Sequence, residues 1–230
     1  NFRPLLKIRK DFSPKGMALF LQAYSLLAQN RCLSDIRPNV LKGIDMSFRW
    51  LKENAIKKDN GLCWAINFPV TSFGKDRPRN DPSSVLACFV GEGLYEYYRF
   101  SGDEEALDMM RKTSVFIEEN IPVTAENYGI CYSYTTTRKD VVFNANMHVA
   151  EFYSKLFALT NDEFYRDKAK QCVNFCIEHQ KDDGRWVYSV TEDGKERHQY
   201  DFHQAFILCS LHDYITLCDD GREVLLGSLE

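Results

Sequence analysis

The 230-residue sequence lacks the features that mark several large protein classes. No run approaches the ~20 consecutive apolar residues of a transmembrane helix, so we predict no membrane span. A basic excess is also missing, because 29 Lys and Arg stand against 33 Asp and Glu. The resulting net charge of −4 argues against a nucleic-acid partner. With 44% hydrophobic and 27% charged residues, the chain has the composition of a globular domain rather than a disordered one.

Short catalytic motifs are missing as well. The sequence contains no H-E-x-x-H, no P-loop and no G-x-S-x-G, which argues against zincin, P-loop nucleotide-binding and α/β-hydrolase chemistry. Among the cysteines, Cys172 and Cys176 stand near His179, but both continue an apolar helical stripe, so packing is favoured over metal binding. We predict neither a metal site nor a cofactor.

The eight cysteines are scattered, and no C-x-x-C occurs among them. A chain of this length can bury its own core without disulfides, so the cysteines are expected to be reduced. This favours a cytoplasmic protein. A secreted or periplasmic protein stays open, because the chain starts at Asn1 without Met. We interpret residues 227–230 as a vector-derived tail and residues 1–226 as one domain.

Aromatic residues are abundant, with 12 Tyr, 16 Phe and 3 Trp, and many of them lie in an internal repeat. Three segments share an amphipathic helix, a polar stop, a glycine and alternating aromatics. The glycines are Gly61, Gly129 and Gly184. We expect each glycine to adopt a left-handed or tight-turn conformation at the helix end, followed by a short β-hairpin.

A second type of helix alternates with the first and is apolar on most faces, as expected for inner helices. The predicted inner helices are 15–29, 83–100, 146–160 and 202–217. Two acidic turns, 101–104 and 160–163, connect inner to outer helices and align with each other. In that alignment Glu92 and Glu151 occupy equivalent positions of two inner helices. The sequence thus predicts about four helical hairpins.

This layout resembles the α/α toroids. Residues 169–186, with Phe175, Gln180, Gly184 and Trp186, are similar to the QW repeat of terpene cyclases. The Asp-x-Asp-Asp acid of those cyclases is absent, so that likeness concerns architecture only. Residues 13–217 also resemble the six-hairpin toroids of glycoside hydrolases, sugar epimerases and uronate lyases. The resemblance implies an all-α fold, an α/α toroid whose ring is incomplete, with β-hairpins in its loops.

Polar residues recur where the chain passes from each hairpin into an inner helix. In a toroid these helix N-termini meet at one rim, where backbone N–H groups favour anions. Asp81, Asn144 and Asp201 could each simply be N-caps. Capping does not explain His148 and His203. The rim residues are Arg79, Asp81, Asn144, Asn146, His148, Tyr200, Asp201 and His203.

The resemblance to toroidal enzymes implies roles for these residues. Asn144, Asn146 and His148 resemble the Asn/His cluster with which uronate lyases neutralise a carboxylate, and Tyr200 or Tyr132 would then transfer protons. Unsaturated-uronyl hydrolases carry aspartates at helix starts, where Asp81 and Asp201 stand here. The predicted catalytic residues are Asp81, Asn146, His148, Tyr200, Asp201 and His203.

Further residues are candidates for substrate binding. The hairpin aromatics Trp64, Tyr132 and Trp186 could stack on sugar rings, although hairpin aromatics also pack on neighbouring hairpins. Arg79 could bind a carboxylate, or lie in a plain solvated loop. A mid-helix Glu151 needs either a cationic partner or a place in the central cavity.

The sequence therefore predicts a carbohydrate-processing enzyme. Its expected substrates are uronate-containing or other acidic glycans, and its expected chemistry is of hydrolase or lyase type. The alternative is a non-catalytic helical-repeat domain that binds glycan or protein partners. The oligomeric state stays open.

Overall fold

The structure is a computed structural model that describes residues 5, 11–30, 34–66, 68–72 and 75–218. Within these residues it contains seven α-helices. They are α1 (Pro14–Gln29), α2 (Arg37–Glu53), α3 (Ser84–Ser101), α4 (Glu104–Asn120), α5 (Phe143–Thr160), α6 (Glu163–Glu178) and α7 (Phe202–Cys218). A 3-10 turn, Ser34–Ile36, precedes α2. The last twelve residues, including 227–230, lie outside the described part of the chain.

Short antiparallel strands occupy the connections that lead from outer to inner helices. They are β1 (Ile56–Lys58), β2 (Gly61–Cys63), β3 (Val70–Ser72), β4 (Lys75–Arg77), β5 (Val123–Ala125), β6 (Ile130–Tyr132), β7 (Val141–Val142), β8 (Ser189–Val190) and β9 (Glu196–Arg197). Three hairpins form, β1–β2, β3–β4 and β5–β6, and β7–β8–β9 form a three-stranded sheet. Ile56 pairs with Cys63 in the first hairpin, and Val123 with Tyr132 in the third.

The helices form an arc with an inner and an outer layer. Helices α1, α3, α5 and α7 pack against one another in sequence, while α2, α4 and α6 each pack outside the inner helix that precedes them. This arrangement confirms the predicted all-α toroid with β-hairpins in its loops. The described residues form three complete inner–outer pairs and a seventh helix, rather than the four hairpins expected. One apolar cluster runs through all seven helices.

The two acidic turns between inner and outer helices have the predicted equivalent geometry. Gly102 (φ 69°) and Asn161 (φ 54°) end α3 and α5 in the left-handed conformation. Asp103 and Asp162 then cap α4 and α6, since each carboxylate accepts the backbone N–H two residues ahead.

Two of the three glycines of the repeat have a different role from the one expected, while Gly184 adopts the expected left-handed conformation. Only Gly184 of the three has a positive φ, 78°. A Cβ at Gly61 would lie 2.5 Å from the backbone nitrogen of Phe116 in α4. One at Gly129 would lie 2.6 Å from the backbone nitrogen of Phe175 in α6. These two glycines therefore let a hairpin press directly against the next outer helix.

The hairpin aromatics are anchors of the fold, which corrects their interpretation as sugar-stacking walls. Trp64 and Trp186 are 0% and 3% exposed, and their indole N–H groups donate to the carbonyls of Leu51 and Cys176 in the preceding outer helices. Tyr132 is fully buried, and its hydroxyl donates to Glu118. With no exposed ring face, these side chains serve packing.

In the described part of the chain, no helix is both long enough and apolar enough to cross a bilayer. The seven cysteines in the described part of the chain are free.

Candidate functional site

Two of the predicted catalytic residues form a close pair at the start of α7. The Nδ1 atom of His203 lies 2.5 Å from Oδ1 of Asp201, which also accepts the backbone N–H of His203. Asp201 is therefore both the helix cap and the partner of the imidazole. A carboxylate at Nδ1 fixes the ring orientation and leaves Nε2 as the reactive nitrogen.

The carboxyl group of Asp201 is held in its ionised form. The side-chain amide of Gln199 and the backbone N–H of His203 lower its pKa to about 2. Gln199 donates to the second oxygen, Oδ2, at 2.8 Å. At neutral pH the His203 side chain thus faces a permanent negative charge, which stabilises an imidazolium formed by proton uptake.

A second histidine lies one aromatic ring away, on the inner face of the arc. Phe206 of α7 has its ring centroid 6.4 Å from that of His203 and 4.9 Å from that of His148 in α5. Phe89 of α3 contacts His148 at 4.9 Å from the opposite helix. Helices α3, α5 and α7 therefore bring together one aromatic–histidine cluster.

Directly below this cluster lie two glutamates from equivalent inner helices. The Nδ1 atom of His148 is 3.8 Å from Glu92 Oε1 and 3.5 Å from Glu151 Oε2. Ser210 of α7 donates to Glu151 Oε2 at 2.9 Å, and Lys155 pairs with Glu151 Oε1. The two alternatives for Glu151, a cationic partner or a place facing the centre of the toroid, are therefore both realised: its carboxylate pairs with Lys155, and it lies on the inner face.

The two glutamates have opposite acid–base character. Burial, reinforced by the charge of Glu151, raises the pKa of Glu92 to about 8. Burial acts in the same direction on Glu151, but the imidazole of His148 and the ammonium of Lys155 outweigh it and lower the pKa of Glu151 to about 2. The cluster therefore holds one carboxylate and one carboxylic acid near neutral pH.

The N-terminal half of the inner face of α5 carries buried polar atoms without hydrogen-bond partners among the described residues. Asn144, His148, Glu151 and Lys155 follow one another at spacings of three or four residues and so share one side of α5. His148 is 3% exposed, and neither ring nitrogen has a hydrogen-bond partner within the described residues. The buried Oδ1 of Asn144 is also unsatisfied. Buried polar atoms without partners are rare and point to a ligand.

A cleft of about 650 Å³ opens at the rim beside this cluster. It is lined by hairpin residues that include Tyr134, Arg138, Lys139, Tyr188 and Arg197. The ring of Tyr188, in the wall of this cleft, lies 4.9 Å from that of His203, so the Asp201–His203 pair lies next to the cleft wall. Its volume falls within the range of small-molecule sites.

A lysine approaches the cluster from the first inner helix. The Nζ atom of Lys15 in α1 lies 3.7 Å from the ring centroid of Phe89. Burial lowers the pKa of Lys15, while the nearby charge of Glu92 acts against that shift. Helix α1 thus adds a cation to the same inner face.

The other predicted site residues lie apart from the cluster. Asn146 bridges three backbone groups, those of Tyr132, Ile130 and Cys172, and is fully committed to structure. The hydroxyl of Tyr200 contacts His198, and Arg185 covers its ring at 4.4 Å.

The two candidates before α3 also lie outside the cluster. Asp81 is buried, and the cap of α3 is Ser83 instead. Arg79 is exposed in the turn before α3.

Sequence reasoning missed several members of the inner-face cluster. Four of them are not among the residues predicted from the sequence: Lys15, Lys155, Ser210 and Asp213. In the structure Lys155 Nζ lies 3.3 Å from Asp213 Oδ2. A signal was present, since polar residues at 148, 151 and 155 interrupt an otherwise apolar helix with a helical spacing. The interval of three in Ser210 and Asp213 repeats that signal on α7.

Comparison with known proteins supports the fold. No protein-family model matches the sequence. A cellobiose 2-epimerase of Ruminococcus albus is 26% identical over 141 residues, which are 54% of this chain and 34% of that protein. A cellobiose 2-epimerase structure from Bacillus thermoamylovorans superposes with a TM-score of 0.68 at 17% identity, over 94% of this chain and 58% of that one.

Two other solved structures have the same architecture. A family 76 glycoside hydrolase from Bacteroides thetaiotaomicron gives a TM-score of 0.73 at 15% identity, over 95% of this chain and 46% of that one. A D-mannose isomerase gives 0.65 at 17% identity, over 90% and 55%. The chain spans less than two thirds of the length of each of these relatives. The chain therefore has the six-hairpin α/α-toroid fold of these epimerases, isomerases and glycoside hydrolases, in partial form.

Proposed function

We propose that the protein processes carbohydrates by moving a proton at the sugar carbon next to a carbonyl, as an epimerase or aldose–ketose isomerase does. The observation that carries the proposal is the Asp201–His203 pair, which lies next to Tyr188 in the wall of the cleft. A histidine with one nitrogen fixed by a carboxylate is suited to general-base catalysis near neutral pH. The names of the relatives, cellobiose 2-epimerase and D-mannose isomerase, agree with this reaction class.

The chemistry assigns a proton to each group. Nε2 of His203 removes the proton from C2 of an open-chain aldose, and the electron pair forms an enediolate with the C1 oxygen. When the enediolate has turned its other face to His203, return of the proton to C2 gives the 2-epimer. Return of the proton to C1, with transfer of the O2 hydroxyl proton to O1, gives the ketose. Asp201 stabilises the imidazolium while the proton is held.

The enediolate oxygen needs an electrophile, and we assign this role to the buried cluster around His148. This cluster lies across the Phe206 ring from His203, and within the described residues neither imidazole nitrogen of His148 has a hydrogen-bond partner. Because these groups are buried, their interaction with a developing charge is stronger than in water.

The test is exchange of the C2 proton in D₂O, followed by NMR on cellobiose, glucose and mannose. Neutral sugars are compared with the matching uronates, because the proposed reaction can take place on either kind of sugar. We expect deuterium at C2 with the natural chain and a loss of about 10²- to 10⁴-fold in rate with His203→Gln.

His198→Gln is the matched control, because His198 lies on the exposed hairpin two residues from Tyr200. Its rate should equal that of the natural chain. Absence of exchange with every sugar would sink the epimerase proposal, and a saturable sugar-dependent shift in Tm without exchange would support the non-catalytic binding domain.

A second candidate is hydrolase or lyase chemistry on uronate-containing or other acidic glycans. The observation that favours it is the charge distribution, because Lys15 brings a cation to a face that also holds two carboxyl groups with opposed pKa shifts. New reducing ends would report a hydrolase. Ultraviolet absorbance of an unsaturated uronate would report a lyase.

A further inference from the structure

The inner-face triad of Glu92, His148 and Glu151 has the spacing of metal ligands. One donor atom from each residue lies within 4.8 Å of the other two. The imidazole nitrogen Nδ1 is 3.8 Å and 3.5 Å from the two carboxylate oxygens. Ligand atoms about 2.0–2.2 Å from a shared ion stand at separations of this kind. They are too far apart for short charge-assisted hydrogen bonds.

The state of His148 is an independent sign of a ligand. Its side chain is buried, and Nδ1 lies 3.5 Å from Glu151 Oε2 and 3.8 Å from Glu92 Oε1, longer than an ordinary N–H···O hydrogen bond. The second nitrogen, Nε2, also has no partner within the described residues. Since an unpaired buried imidazole loses its hydration without compensation, a bound ion would recover that loss.

The surroundings suit a bound cation. Ser210 holds Glu151 Oε2 at 2.9 Å, and an outer hydrogen bond of this kind fixes a ligating carboxylate. The rings of Phe89 and Phe206 cover the imidazole on both sides and limit access of water. With Glu92 losing its proton when the ion binds, one imidazole and two carboxylates form a ligand set suited to zinc, manganese, iron or cobalt rather than to calcium.

We propose that Glu92, His148 and Glu151 bind one divalent transition-metal ion on the inner face of the arc. The bound ion would be the electrophile for the enediolate, and that role rests on the proposed function. Binding of the ion itself depends only on the triad. Lys155, which pairs with Glu151 Oε1, reduces the negative charge of the triad, so a moderate affinity is expected.

Cobalt provides a direct probe of this site. The full chain is stripped with a chelator, dialysed and titrated with Co²⁺, and the visible absorption of the bound ion is recorded alongside calorimetry. We expect one Co²⁺ per chain, displaced by an equimolar amount of Zn²⁺. Glu92→Gln and His148→Ala should each weaken binding by about 100-fold or more.

Matched variants separate the triad from surface sites. His212→Ala removes an exposed histidine whose side chain is 78% accessible, and His203→Gln removes the proposed base; both should bind Co²⁺ like the natural chain. Thermal unfolding of every variant in chelator shows whether a loss of binding reflects a loss of folding. Glu92→Gln keeps the shape of the side chain and serves if His148→Ala does not fold.

The outcomes divide clearly. No saturable Co²⁺ binding by the natural chain overturns the inference, as does binding that persists unchanged in folded Glu92→Gln and His148→Ala. Stoichiometric binding without any C2 exchange would support the metal site and oppose the proposed function. C2 proton exchange by a chelator-treated protein that binds no Co²⁺ would support the proposed function and oppose the metal site.

Discussion

Two buried polar clusters in this arc differ in how completely their hydrogen bonds are satisfied. The first lies between α4, β6, α5 and α6, around Glu118. Its Oε1 accepts the hydroxyls of Tyr132 and Tyr153, and its Oε2 accepts Lys168 at 2.6 Å. Every ionised oxygen in this cluster has a partner.

The second cluster, around His148, has gaps. Glu151 is paired with Lys155 and Ser210, but among the residues that the structure describes neither nitrogen of His148 nor Oδ1 of Asn144 has a hydrogen-bond partner. A satisfied network contributes to a unique fold, whereas an unsatisfied one costs stability and is retained for another reason. This difference supports an architectural role for the Glu118 cluster and the ligand-binding role that we propose for the His148 cluster.

Removing the centre of the satisfied cluster should have the largest effect on stability. Glu118→Ala leaves two buried phenols and Lys168 without their acceptor, and we expect a loss of about 2–4 kcal/mol in the free energy of unfolding. Urea denaturation followed by circular dichroism measures it. Glu119→Ala, on the exposed side of α4, is the control and should change stability by less than about 0.5 kcal/mol. Equal effects of the two variants would contradict the assignment.

The hairpin that carries Tyr132 offers a second test of the architectural region. Gly129→Ala places a Cβ against the backbone of α6 and should cost about 1–3 kcal/mol by overpacking. Gly16→Ala in the first turn of α1 meets only an ordinary contact at 3.8 Å, and should be neutral or slightly stabilising. A neutral Gly129→Ala would show that this hairpin can move away from α6.

The unsatisfied cluster predicts a stability that depends on pH. Glu92 has a pKa raised to about 8, above its unfolded value of 4.5, so folding favours its protonated form. The stability from this group is complete below pH 4.5 and is lost as pH rises through 8. Glu92→Gln should therefore stabilise the protein by about 1–3 kcal/mol at pH 9, and by much less at pH 5. Thermal unfolding in chelator at both pH values measures this, and a pH-independent difference would contradict it.

The smallest expected effect on stability belongs to His148→Phe. Because Phe89 and Phe206 already surround the position, and Lys155 and Ser210 still hold Glu151, the free energy of unfolding should change by less than about 1 kcal/mol. Exchange at C2 should nevertheless fall by at least about 100-fold. A large destabilisation with retained C2 exchange would show that His148 has a structural rather than a functional role.

Local sequence patterns predicted much of the arc. The alternation of amphipathic and apolar helices gave the two layers, and the acidic turns gave two helix caps at Asp103 and Asp162. The candidate pair Asp201 and His203 was also visible, because local spacing alone brings their side chains together. The hairpin aromatics misled, since nothing in a strand pattern shows whether Trp64 or Trp186 faces solvent or an adjacent helix.

Local residue patterns suffice to place the helices, their caps and their order, because those depend on residues within a turn or two of one another. Which polar residues meet depends instead on how the helices pack. Glu92 and Glu151 come from helices 59 residues apart, and Ser210 lies another 59 residues along the chain from Glu151. Their proximity follows from the packing of α3, α5 and α7 around one inner face, which no local pattern encodes. The same packing leaves His148 buried and unpaired, and that burial is what separates a candidate site from a capped helix end.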